Sequence, residues 1–135
     1  MPTAFTHAVS ALGLGAALVP SGAPRTAWIW GTALAVIPDL DVLGFQLGMG
    51  HAHLFGHRGF THSLGFAVLL GSLAFVIFLR IYPVPKPRLL WAYFVSCLAA
   101  RGALDALTNG GWGVAFFSPM IDTRYFFPIH PILVS

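Results

Sequence analysis

The chain contains no glutamate, a single cysteine and very little charge. Asp, Lys and Arg together make up 8% of its 135 residues, against about 25% charged residues in an ordinary soluble domain. So few charges cannot cover a water-facing surface, which places the chain in the membrane class. Hydrophobic residues supply 57% of it, and the mean hydropathy is +0.81. The lone Cys97 excludes an internal disulfide, and its place inside an apolar run is that of an ordinary buried thiol. A net charge of +3 is spread thinly with no basic cluster, so nucleic acid is not an expected partner. No Lys or Arg precedes the first apolar run, so a cleaved leader is not expected. A Walker loop, a dinucleotide loop and a serine nucleophile elbow are all missing, and those chemistries have no support.

What the chain does have is apolar runs separated by turns. Residues 8–19 form the first, rich in Ala and Gly and short for a bilayer core that needs about 20 residues. Pro20-Ser21-Gly22-Ala23-Pro24 is a turn. The second run, 27–37, ends at Pro38-Asp39-Leu40-Asp41, where Pro38 biases Ile37 away from the helical region and predicts a break. A Gly/His loop over 48–56 carries His51 and His53, which read as loop histidines. The third run spans about 61–82, and Pro83-Val84-Pro85-Lys86-Pro87 is a rigid turn after it. The fourth, 89–107, is interrupted by Arg101 and Asp105, four apart and on one helix face, where an intrahelical ion pair is the plain reading. Asn109-Gly110-Gly111 closes that helix, and the tail 112–135 is aromatic and Pro-rich, as suits a membrane interface. The expected fold class is all-α: a multi-pass membrane helical bundle of about four antiparallel helices with a polar His/Asp site at one end. It forms one domain over 1–135, whose tail ends without a closing helix and so suggests truncation at the C-terminus.

The stretch His57-Arg58-Gly59-Phe60-Thr61-His62-Ser63 sets two histidines, an arginine and a threonine at the mouth of the third run. Ionisable groups at membrane depth are costly and usually functional, although such residues also occur in plain interfacial loops. Antiparallel packing tests the idea. Helix one would leave one end of the bundle at His7, and helix two would return there at Asp39 and Asp41. Helix three would leave it at His57 and His62, and helix four would return at Asp105. Every Asp and His then falls on one side, while Arg25, Arg80, Lys86 and Arg88 mark the other. Bundles commonly build metal sites this way. An imidazole and carboxylate set without thiolate suits zinc, and also manganese or iron, in an open hydrolytic site. Such a metal lowers the pKa of bound water towards about 7, and Arg58 fits an anionic transition state as a charged fork.

Thr6-His7, Pro38-Asp39-Leu40-Asp41, the seven-residue stretch from His57 to Ser63, and Leu104-Asp105-Ala106-Leu107-Thr108 before Gly110-Gly111 follow one another in this order. In this the chain resembles, over nearly its whole length, the YdjM-type family: LexA-regulated bacterial inner-membrane proteins assigned as metal-dependent hydrolases. That family is in turn similar to zinc-dependent phospholipase C and P1-type nucleases, which cleave phosphate esters. The resemblance implies His7, Asp39, His57, His62 and Asp105 as metal positions. Asp41 is the weaker match and joins Arg58 as a candidate catalytic group. The family pattern has a His at the position of Arg101, and a guanidinium cannot ligate a metal. Either one metal is lost or Arg101, with Arg58, serves the substrate.

The expected function is therefore membrane-bound, metal-dependent hydrolysis of a phosphate ester, with membrane lipid as the substrate close at hand. Two alternatives stay open: a non-enzymatic membrane protein that binds or passes metal ions or protons, and a degenerate hydrolase fold used as an interaction module. The positive-inside rule puts the end bearing Arg25, Arg80, Lys86 and Arg88 in the cytoplasm and the site outside the inner membrane.

Overall fold

A computed structural model describes residues 4–48, 50, 55–56, 58–110 and 112–133. Its long helices are α1 (Ala4–Leu18), α2 (Thr26–Val36), α4 (Leu64–Ile81) and α5 (Pro87–Ala106), and α3 (Leu43–Gln46) is a single turn. The four apolar runs and the turns between them stand where periodicity and Pro/Gly punctuation put them. Among the described residues there is no strand, only the isolated bridges Thr108 to Ile132 and Val114 to Tyr125.

Local chemistry sets the boundaries. After α2 the chain does not break outright at Pro38. It tightens into a 3-10 helix, Ile37–Val42, because proline is accepted in the first turn of a helix, where no N–H is needed. The third run was expected to be helical from residue 61. Instead Phe60–His62 is a 3-10 turn, and Ser63 caps α4 by accepting from the Phe66 amide at 3.1 Å. At the other end of the hairpin, Pro87 occupies the first position of α5 and Lys86 turns the chain at φ 50°.

Helix α5 is central, packing on α1, α2 and α4, while α1 and α2 pack on each other. Helix α4 packs chiefly on α5. In lipid, apolar burial gives helices little reason to associate, so close approach has to do the work. Gly71 of α4 shows this: a Cβ there would stand 3.0 Å from the Val95 Cα of α5. Trp30, Phe78 and Phe94 tie three helices together, with centroids of Trp30 and Phe78 5.4 Å apart edge-on and of Phe78 and Phe94 5.6 Å apart. The helices Leu64–Ile81 and Pro87–Ala106 are long and apolar enough to cross a membrane, and α1 is a shorter apolar helix.

The tail after α5 folds back over one end of the bundle. Its backbone is pinned by Leu64 N to Phe116 O at 2.9 Å, Ala115 N to Arg58 O at 3.2 Å, Phe127 N to Ala106 O at 3.1 Å and Asn109 N to Ile132 O at 3.2 Å. At the opposite end the α1–α2 turn lies against the α4–α5 turn, where a Cβ on Gly22 would meet Pro85 at 3.4 Å.

Candidate functional site

Four separate segments deliver polar side chains to the end of the bundle beneath the tail. The second turn of α1 brings His7, the 3-10 helix after α2 brings Asp39 and Asp41, the 3-10 turn before α4 brings Thr61 and His62, and the last turns of α5 bring Arg101 and Asp105. Their proximity establishes the antiparallel order, since α1 and α4 start where α2 and α5 finish. His57 lies outside the described residues, as do His51 and His53. Asp122 and His130 are exposed in the tail, apart from the cluster.

Asp105 sits between two histidines. Its Oδ2 is 3.0 Å from His62 Nε2, and its Oδ1 is 3.8 Å from His7 Nε2 and 3.8 Å from Arg58 Nη2. His62 is held on its other side: Nδ1 lies 3.3 Å from Asp41 Oδ2 and 3.0 Å from Thr61 Oγ1, and Thr61 itself donates to Asp41 Oδ2 at 2.7 Å. A carboxylate and a hydroxyl in these places fix the orientation of the ring. The backbone of α5 helps to seat it, because Gly102 leaves the space in which the His62 carbonyl lies, 2.8 Å from where a Cβ would stand. Burial pushes the His62 imidazole pKa down, against the upward pull of Asp105 and Asp41.

The two arginines divide the work. Arg58 donates from Nη1 to the Gly110 carbonyl at 2.5 Å and from Nη2 to Thr108 Oγ1 at 3.1 Å. Thr108 in turn donates to the Asp105 carbonyl at 2.8 Å. The terminal nitrogens that would make Arg58 a substrate fork are thus engaged in tying the loop to the end of α5, and only Nε is left over. Arg101 does not form the expected ion pair along its own helix. Its Nη2 pairs with Asp39 Oδ1 and lies 2.9 Å from His62 Nε2, leaving Nη1 and Nε buried without partners. The reason is steric access: Asp105 is already flanked by His62, His7 and Arg58, while Asp39 presents an open carboxylate. Sequence reasoning did not single out Thr61 and Thr108 as functional, although both stand inside the motifs that carry the resemblance.

Asp39 keeps 19% of its side chain exposed, whereas His7, His62, Asp41, Arg101 and Asp105 keep 4% or less. The cluster opens at Asp39. Three carboxylates face two guanidiniums here. Both nitrogens of His7 and Asp39 Oδ2 are buried without hydrogen-bond partners, whereas Asp105 Oδ2 faces His62 Nε2. On the other side Arg101 Nη2 stands between Asp39 and His62, where a cation shared by those two would lie. Among the described residues no group of three or more His, Cys, Asp or Glu side chains is disposed to hold a metal ion.

A profile described as YdjM inner membrane protein matches residues 1–135. The chain belongs to the YdjM family. Among relatives, the chain is 40% identical over 139 residues to the Inner membrane protein YbcI of Escherichia coli (strain K12), covering 100% of this chain and 78% of that protein. No solved structure matches. This YdjM-family chain is accordingly a membrane protein, in keeping with its two helices of spanning length.

Proposed function

We propose that this YdjM-family protein is a multi-pass, metal-dependent hydrolase of phosphate esters with its site on the outer side of the inner membrane. The observation that carries the reading is the pair of buried, unpartnered nitrogens of His7 beside Asp105 and His62, the latter with its Nδ1 held by Asp41 and Thr61. His7, His62 and Asp105 would hold a divalent cation, with zinc the best match to the donors and manganese or iron next. When bound, such a cation supplies Lewis acidity and a water nucleophile at neutral pH.

The chain's own residues supply the rest. Asp41 orients His62 and keeps its proton on Nδ1. Arg101 offers Nη1 and Nε to an oxyanion, and the charge-assisted bonds suit phosphate. Asp39 holds that guanidinium in place and lines the opening. Arg58 braces the loop against Thr108 and Gly110. The cationic turns at the far end, with Arg25, Arg80, Lys86 and Arg88, favour the cytoplasm.

The Arg101–Asp39 pair also favours a second reading, in which the guanidinium serves as the site's own cation and the fold binds ions or partners without turnover. Elemental analysis of protein purified without chelator separates the two. The hydrolase binds at least one transition metal per chain, loses it in His62→Ala, and cleaves phosphomonoesters or diesters. A chain with no metal above background defeats the hydrolytic reading.

A further inference from the structure

Charge is divided between the two ends of the bundle. Arg25, Arg80, Lys86 and Arg88, four of the seven Lys and Arg residues, lie at the end where α1 and α4 finish and α2 and α5 begin. None of the four Asp residues is there: Asp39, Asp41 and Asp105 belong to the polar cluster and Asp122 to the tail. Two helix starts and two helix ends meet at this end, so the helix dipoles nearly offset one another and the side chains set its charge. All four cations are exposed, and none has a side-chain hydrogen bond or ion pair among the described residues.

The two turns that carry them abut. A Cβ on Gly22 would meet Pro85 at 3.4 Å, with Arg25 a few residues after the first and Lys86 directly after the second. Pro83, Pro85 and Pro87 stiffen the α4–α5 turn. Lys86 bends it at φ 50°, in the left-handed region where glycine is the unstrained choice. A lysine there costs backbone strain, and strain of this kind gathers where a side chain is needed. Depth then decides the partner. Arg80 is the last residue but one of α4 and Arg88 the second of α5, and both helices are long and apolar enough to cross a membrane. Their guanidiniums stand where hydrocarbon gives way to headgroups. Ile81 and Leu89 expose apolar surface beside them, and Trp91, one turn further into α5, is exposed with its indole N–H donating to Ser72 Oγ at 2.9 Å.

We propose that this end docks anionic phospholipid, with headgroup phosphates among Arg25, Arg80, Lys86 and Arg88 and acyl chains running past Ile81, Leu89 and Trp91. The surface lies apart from the polar cluster and depends neither on hydrolysis nor on which way the chain faces. Cations without a carboxylate near them attract an anionic headgroup, whereas a zwitterionic one brings its own cation and gains little. Free phosphate would leave Ile81, Leu89 and Trp91 bare. Orientation by charge bias alone would be served by the same residues in any loop and does not call for a lysine in a strained, proline-stiffened turn.

The test is electron spin resonance of the full chain in phosphatidylcholine vesicles with trace spin-labelled lipid in both leaflets, so that orientation does not enter. Spin-labelled phosphatidylglycerol is expected to associate with the protein about fivefold more strongly than spin-labelled phosphatidylcholine, the gain from one cation near an anionic headgroup. Raising salt to about 1 M, where screening acts within about 3 Å, should bring the ratio close to unity. Arg25→Gln/Lys86→Gln/Arg88→Gln should abolish the preference. Lys86→Gly should lower it while raising the melting temperature, because glycine relieves the backbone. Arg124→Gln removes an equal charge from the tail and should leave the ratio unchanged. A ratio of unity in the parent, or one that survives the triple substitution, overturns the proposal. So does an equal loss in Lys86→Gly and Arg124→Gln, which would make net charge the cause. Loss of the preference to inorganic phosphate at matched ionic strength would replace the lipid by a soluble anion and overturn it as well.

Discussion

Arg101 reaches across the bundle to Asp39, 62 positions away in the chain, and leaves Asp105 one turn along its own helix to His62 and Arg58. The pair joins α5 to the segment after α2 at the mouth of the polar cluster. Removing one partner leaves the other largely buried and uncompensated, which typically costs about 3 kcal/mol. Arg101→Ala is expected to lower the melting temperature in detergent clearly, and Asp39→Asn/Arg101→Ala to fall less than the two single effects combined. Simple additivity would mean that the pair is not coupled. Arg101→His, which swaps a non-ligand for a ligand, should raise bound metal per chain.

Asp41 touches the ring of His62 on the side away from Asp105, so its effect on a metal is indirect. Asp41→Asn should weaken metal affinity by roughly 10–100-fold, the usual scale for a group that orients a ligating histidine. His62→Ala should remove binding altogether. Competition with a fluorescent chelator measures both. Equal losses in the two variants would make Asp41 a ligand in its own right.

Gly102 and Gly65 offer a matched pair of substitutions. A Cβ at Gly102 would stand 2.8 Å from the His62 carbonyl, whereas at Gly65 the nearest atom is Ser63 Oγ at 3.9 Å. Gly102→Ala should destabilise by about 1–3 kcal/mol and displace His62, lowering metal content with it. Gly65→Ala should be neutral, or stabilise by about 0.5–1 kcal/mol, as alanine does in a helix. Thermal melts and metal analysis on the same samples check both.

The buried His62 should make the fold acid-sensitive. Its pKa is lowered from 6.5 in the folded chain, so between the folded value and 6.5 the unfolded state binds the extra proton. The stability linked to the neutral ring is present above about 6.5 and is lost as pH falls below it. Melting temperature is expected to hold between about pH 7 and 8 and to decline on acidification. In His62→Gln the decline should be shallower.

Topology is open to labelling. Ser21 lies exposed in the α1–α2 turn and Thr123 exposed in the tail, at opposite ends of the bundle. In a Cys97→Ala background, an impermeant thiol reagent should reach Thr123→Cys from outside intact cells and not Ser21→Cys. The reverse pattern inverts the orientation.

The helices were legible because each is an apolar run bounded by Pro or Gly, and such signals are local. The gathering of His7, Asp39, His62 and Asp105 at one end was legible too, since short turns force antiparallel neighbours. What could not be read was which charge meets which. The i, i+4 spacing of Arg101 and Asp105 suggested a local pair, but Asp105 is enclosed by residues from three other segments and Asp39 is the open acceptor. The substrate-fork role of Arg58 was likewise drawn from its charge alone. Its hydrogen bonds to Gly110 and Thr108 depend on a turn at φ 63° that nothing in the motif announces.

The tail folded over the polar end has a consequence for the order of assembly. A ribosome makes the chain from its N-terminus, so His7, Asp39, His62 and Asp105 have all emerged before residues 114–132 exist to close above them. The cluster's residues therefore pass through a stage in which they are all present but the tail does not yet cover them. The backbone ties of Phe116 to Leu64 and Phe127 to Ala106 end that stage. Biogenesis thus leaves a window in time in which this polar end stands uncovered.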